Sequence, residues 1–160
     1  MEPPIRAITP CPWFEGAAEE AAKLYVSIFP NSKLGEIARY GQAGPGPKGA
    51  VMTVQFELDG QPMLGLNGGP MFKFSEAVSF QAHCETQAEV DRYWDALSDG
   101  GAPGPCGWLK NRFGLSWQIV LNDLSRLLSD PDPDRARRTA EAMFKMGKLD
   151  IAALEAAAAG

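Results

Sequence analysis

Residues 77–101, AVSFQAHCETQAEVDRYWDALSDGG, hold a strand, a cap, an amphipathic helix and a stop in unbroken succession. From Ala77 to Cys84 the chain alternates, with Val78, Phe80, Ala82 and Cys84 on one face and Ser79, Gln81 and His83 on the other. That is the two-residue period of a strand with one buried apolar side, and its other side is polar without being charged. Thr86 followed three residues later by Glu89 is a capping-box pattern. Val90, Tyr93, Trp94 and Leu97 then fall at helical spacing before Gly100 and Gly101 stop the helix. The strand feeds a helix that can pack back on it.

Working outward, the same order recurs upstream. Ile5 to Cys11 is a short strand candidate interrupted by Pro10 and Pro12, which confine it to an edge or seam. A helix opens at Glu15 and Gly16, carries the stripe Ala18, Ala21, Ala22, Tyr25, Ile28 and Phe29, and closes at Pro30 and Asn31. Lys33 to Tyr40 reads as a strand, and Gly41 to Gly49, GQAGPGPKG, as a loop. Ala50 to Leu58 and Gln61 to Asn67 form a hairpin around Asp59-Gly60.

The first half is therefore βαβββ. Downstream of the opening stretch, a short strand near Cys106, then Trp108 to Arg112 and Leu115 to Leu121, complete the same order. Glu15, Ala18 and Glu19 recur as Glu85, Ala88 and Glu89, each offset by 70 residues, at equivalent points of the two halves. That is how an internal duplication looks. The expected organisation is one domain over residues 1–121, with modules of about 1–70 and 71–121, followed by a helical extension over 122–160. In the extension Asp132 caps a helix with Pro133 at its first position, and Ala136, Ala140, Met143 and Phe144 give its apolar side. Gly147 breaks it, and Ile151 and Leu154 lead an Ala-rich end expected to fray.

A chain of 160 residues with 45% apolar content can bury a core as one domain. Its net charge of -5 argues against nucleic-acid partners, because phosphate neutralisation needs a basic patch. Arg135, Arg137 and Arg138 do cluster, but beside Asp130, Asp132, Asp134 and Glu141 they read as a solvated helix face. The three cysteines are odd in number and form no CxxC pair, so neither a disulfide framework nor a zinc knuckle is expected. No apolar run is long enough for a membrane span, and MEPPIRAITPCPWF has no signal-peptide pattern. The expectation is a soluble cytoplasmic protein without a membrane partner.

Five motifs, taken together and in order, resemble the PhnB-like family: ITPCPWFEGAAEEAAKLYVSIFPNS, LGLNGGP, EAVSFQAHCETQAEVDRYWDALSDGG, GWLKNRFGLSWQIV and AMFKMGKLDIAALEAA. That family, many of whose members carry the label 3-demethylubiquinone-9 3-methyltransferase, belongs to the vicinal oxygen chelate superfamily of glyoxalases, extradiol dioxygenases and bleomycin-resistance proteins. The resemblance implies an α+β fold in which two βαβββ modules curl into an open, cup-shaped mixed sheet with helices outside and a ligand cavity within. It also implies a homodimer.

In metal-dependent members of the superfamily, ligands project from the first and last strands of each module, which here falls near Pro10, Gly65, Ser79 and Gln118. Pro and Gly offer no side-chain donor, Ser is a poor one and the Gln amide is neutral. A register shifted by two residues brings in Asn67, Gln81 and His83, still with one imidazole and no carboxylate. No metal site is expected. His83 is the only histidine, and with no partner carboxylate identifiable it reads as a strand-end polar residue rather than a general base. Cys11 and Cys84 read as small core residues, and Cys106, in a Gly/Pro turn, as the exposed thiol.

Asn67, Ser79, Gln81 and Gln118 offer neutral donors and acceptors that could orient a small polar ligand, or else satisfy one another or buried water. With His83 and Trp117 they are the candidate binding residues. Trp13, Phe72, Phe74, Trp108 and Phe113 are further aromatics that either wall a pocket or fill core and subunit interface. No GxxxxGK[ST] and no strand-to-helix GxGxxG is present, so no nucleotide-type cofactor is expected and the methyltransferase label loses support. Two functions follow: a protein that binds a small polar molecule without metal, or an enzyme (lyase, dioxygenase or transferase) acting on a small keto or diol compound.

Overall fold

The structure, a computed structural model, describes residues 8–160. The chain forms two compact units, one ending at Lys73 and the other running from Phe74 to Gly160. In the first, β1 (Trp13–Phe14), α1 (Ala18–Ile28), β2 (Lys33–Arg39), β3 (Val51–Leu58) and β4 (Gln61–Asn67) follow one another, and the sheet order is β1-β4-β3-β2. β1 runs parallel to β4, while β2, β3 and β4 pair antiparallel. Asp59 and Gly60 both take positive φ, 48° and 74°, as a tight hairpin of the Asp-Gly type needs.

The strand expected at Ile5 to Cys11 is corrected here. Residues 5–7 lie outside the described residues, and the assigned strand begins only at Trp13. The prolines are the cause: they have no N–H to give, so Pro10 and Pro12 join β4 through their carbonyls alone. Leu64 donates to the Pro10 carbonyl, Leu66 to that of Pro12 and Gly68 to that of Phe14.

Helix α1 buries Ala18, Ala21, Ala22, Tyr25 and Ile28. Its first residue is held from a distance, because the N-cap, Ala17, has no capping side chain and the Ala18 N–H donates to Asn67 Oδ1 at 2.9 Å. Gly65 lets the helix sit close to β4, since a Cβ there would stand 3.2 Å from the Ala18 Cβ.

The second unit repeats the pattern with β5 (Ser79–Cys84), α2 (Gln87–Ser98), β6 (Ala102–Pro103), β7 (Trp108–Lys110) and β8 (Ser116–Leu121), in sheet order β5-β8-β7-β6. Again the first strand is parallel to the last. Gly68 donates to the Phe14 carbonyl in one unit and Asn122 to the Cys84 carbonyl in the other, and Phe14 and Cys84 are 70 positions apart (84 − 14), the offset of the sequence repeat. The capping box is formed as expected: Thr86 accepts from the Glu89 N–H and the Glu89 side chain returns to the cap backbone. Val90, Tyr93, Trp94 and Leu97 are all buried.

The extension forms α3 (Leu124–Leu128), α4 (Pro133–Met143) and α5 (Ile151–Ala159), and it packs on its own second unit. Cys106 and Gly107 donate to the Met146 and Gly147 carbonyls. Gln87 of α2 donates to the Leu149 carbonyl and accepts from the Ile151 N–H, while Lys148 bridges Asp91 and Asp95. Asp132 caps α4 with Pro133 inside it, as expected.

Three expectations are corrected. The Ala-rich end is helical to Ala159, because Asp150 caps it and the Arg138 guanidinium donates to the Ala157 and Ala158 carbonyls at its C-terminus, where a cation complements the helix dipole. Of the arm's large apolar residues Met143 and Leu154 are buried, Ile151 is half-buried and Phe144 is exposed. Among the cysteines Cys11 is exposed, and Cys106 is half-buried with its thiol facing the Met143 carbonyl.

Candidate functional site

Strand alternation gives the second sheet two unlike faces. Ala82, Cys84, Trp117, Ile119 and Leu121 are buried on the side that takes α2, and Trp117 meets Phe80 edge to face at 5.4 Å between ring centroids. Trp117 therefore lies on the side away from the polar candidates and belongs to the core. The register of β5 against β8 pairs Ser79 with Ser116, Gln81 with Gln118 and His83 with Val120, so these residues share the other face. On β7, Lys110 stands opposite Ser116 and Trp108 opposite Gln118.

Three of the expected residues meet there. Gln81 Nε2 donates to Gln118 Oε1 at 3.2 Å, and Gln118 Nε2 donates to Ser79 Oγ at 2.8 Å. The two amides and the hydroxyl form one line of uncharged groups, with Gln81 at its exposed end. His83 is exposed, one alternation further along β5. Asn67 lies in the first unit, 8% exposed, and both its side-chain groups are engaged: Oδ1 caps α1 and Nδ2 donates to the Val51 carbonyl. The Tyr40 hydroxyl donates to its main-chain carbonyl. Its amide faces the helix.

Two residues of this face escaped the sequence reading. Ser116 is 1% exposed and its hydroxyl has no hydrogen-bond partner. Lys110 reaches from the same row to Glu76, whose carboxyl it holds below the usual range through a hydrogen bond. The alternation of LSWQIVL already placed Ser116 beside Gln118; only the strand register could show Lys110 beside Ser116.

The superfamily metal does not fit these residues. Gly65 points at α1, Pro10 contributes only its carbonyl to β4, and Ser79 and Gln118 bond each other. Among the described residues no three His, Cys, Asp or Glu side chains gather as a ligand set. A nucleotide-type methyl donor fits no better, since both sheets are mixed and four-stranded, without the run of parallel strands and Gly-rich turn that would hold it. The Cys84 thiol is pushed up to about 12 by burial and by the Glu89 charge, so it stays protonated and is no nucleophile. A cleft of about 320 Å³ opens at the ends of β5 and β8, lined in part by Glu85, Asn122, Asp123, Arg126 and Glu155, away from Ser79 and Gln118.

Paired βαβββ units, each with its outer strand parallel to its last, define a protein of the vicinal oxygen chelate class. The chain belongs to the PhnB-like family described as 3-demethylubiquinone-9 3-methyltransferase, which matches residues 6–120. It is similar to a PhnB protein of Bacillus cereus bearing that methyltransferase description, at 35% identity over 72% of this chain and 99% of that one, with a TM-score of 0.65. The fold is shared with protein PA1353 of Pseudomonas aeruginosa (19% identity, 71% and 96% coverage, TM-score 0.60). It is shared also with the fosfomycin resistance protein FosX of Listeria monocytogenes (13% identity, 76% and 96% coverage, TM-score 0.51). No functionally curated protein matches the chain significantly. Among the described residues no helix is long and apolar enough to cross a membrane.

Proposed function

We propose that this protein binds a small polar molecule on the polar face of its second sheet, without a metal ion and without cofactor chemistry. The observation that carries this reading is the line Gln81–Gln118–Ser79, in which neutral groups are held in register by two strands and bonded to one another. Such a line orients a ligand by hydrogen bonds while demanding no charge of it. Because Gln81 is exposed, it offers a second amide N–H and a carbonyl oxygen to whatever binds. The alternative, an enzyme of the vicinal oxygen chelate type on a keto or diol substrate, needs activating groups that Pro10, Gly65, Ser79 and Gln118 do not supply. The methyltransferase in the family's description would need a donor site that neither sheet resembles.

The working form is proposed to be a cytoplasmic homodimer whose residues 1–121 act as one domain. Exposed apolar side chains, Met71 on the first unit and Val78 and Phe144 on the second, support contacts with a partner, and three free cysteines suit a reducing compartment. The reading is tested by a thermal-shift screen of small polar metabolites on wild type and Gln118→Leu. Compounds that stabilise wild type are expected to bind the variant at least about tenfold more weakly, the variant's own fold costing roughly 1 kcal/mol for the lost bonds. If Gln118→Leu unfolds the protein and leaves affinity per folded molecule unchanged, Gln118 is a strut and this face is not the site.

A further inference from the structure

We infer that the ligand of this face carries a single carboxylate, received by the Ser79 and Ser116 hydroxyls with Lys110 as its counter-charge. The inference rests on the binding reading above and names the chemistry of its ligand. It begins with the direction of the hydrogen bonds. Ser79 Oγ accepts from Gln118, so the Ser79 proton must be given elsewhere. Directly opposite Ser79 in the parallel ladder stands Ser116, buried, with a hydroxyl that has no partner. Neighbouring strands stand about 4.8 Å apart, so one ligand oxygen between the two side chains can lie within about 2.8 Å of both hydroxyls. A buried hydroxyl without a partner asks for such an oxygen.

Lys110 is the next residue in the same row, opposite Ser116 on β7. Its partner Glu76 has a side chain 62% exposed, and an exposed pair exchanges easily. Released from Glu76, the lysine can turn its ammonium to a ligand oxygen held at Ser116. Across β7, β8 and β5 the row then reads ammonium, hydroxyl, hydroxyl, all able to donate. One negative charge spread over two acceptor oxygens complements it. A phosphate dianion would leave a charge unmatched beside one ammonium, and a polyol would offer the ammonium no carboxylate in place of that of Glu76.

The test is an NMR titration of the full chain with pyruvate, glycerol and inorganic phosphate, repeated on Ser116→Ala and Lys110→Met. Pyruvate is expected to give saturable shifts at Ser79, Ser116 and Gln118, with affinity at least about tenfold above glycerol and phosphate, and each variant to lose about tenfold for pyruvate. Ser116→Ala is expected to melt no lower than wild type, because it removes an unsatisfied hydroxyl, so its loss of binding is not loss of fold. Glycerol or phosphate binding these residues as well as pyruvate does would overturn the carboxylate and leave the binding face standing. Pyruvate binding that both variants keep would overturn the Ser116 and Lys110 roles. No saturable shift on this face with any probe would overturn the inference, and the metabolite screen then decides separately whether the face binds anything.

Discussion

Replacing Asn67 by alanine is expected to destabilise the first unit by about 2–4 kcal/mol while removing no ligand contact. The variant strips the Ala18 N–H of its acceptor and the Val51 carbonyl of a donor. Loss of a helix N-cap costs about 1 kcal/mol, and a buried polar group left unpaired about 1–3 kcal/mol. The Val51 carbonyl belongs to a half-buried residue and recovers part of its loss through water, which sets the lower end. The bond from the Tyr40 hydroxyl goes to the main-chain carbonyl of Asn67 and survives. Against a total stability of typically 5–15 kcal/mol, such a loss is readily measured by urea titration. Asn67→Asp should fall between, at roughly 1–2 kcal/mol, because its carboxylate still accepts from the helix N-terminus but cannot donate to Val51. Hydrogen exchange should show the protection loss centred on α1. An Asn67→Ala variant within about 0.5 kcal/mol of wild type, with an unchanged urea slope, would refute the cap.

Thiol alkylation of the native protein should label Cys11 first, Cys106 slowly and Cys84 only on unfolding, as mass spectrometry of timed digests would show. Labelling of Cys84 before Cys106 would contradict its place under α2. The raised Cys84 value also has a stability consequence: the folded thiol holds its proton more tightly than the unfolded one, so its contribution is whole below about pH 9 and is lost as pH rises toward about 12. The slope is roughly 1 kcal/mol per pH unit, and it should disappear in Cys84→Ala. Sedimentation at micromolar concentration should give the mass of a dimer, and a monomer mass would remove the partner contacts assigned to Met71, Val78 and Phe144.

Elements whose information is local were legible in the sequence. The Thr86–Glu89 box, the stripe from Val90 to Leu97, the Asp59-Gly60 turn and the alternation of Ser79 to Cys84 each declare themselves within a few residues. What the sequence hid depends on contacts far along the chain. Asn67 reaches a helix start 49 positions away, Arg138 secures a helix end 20 positions on, and no periodicity announces either. Gly65 looked like a ligand position until its missing Cβ was seen to face Ala18. The site was half legible: alternation placed Ser79, Gln81 and Gln118 on one face. The pairing of Ser116 with Lys110 needed the register of a three-residue strand, and Trp117 is a core residue because its side of β8 takes α2.

The claim that this chain works without a metal is tested most directly by elemental analysis of protein purified without chelator. Zinc, nickel, iron and manganese are each expected well below one atom per chain, as the donors at Pro10, Gly65, Ser79 and Gln118 require. About one atom per chain of any of them, retained through dialysis, would contradict the account.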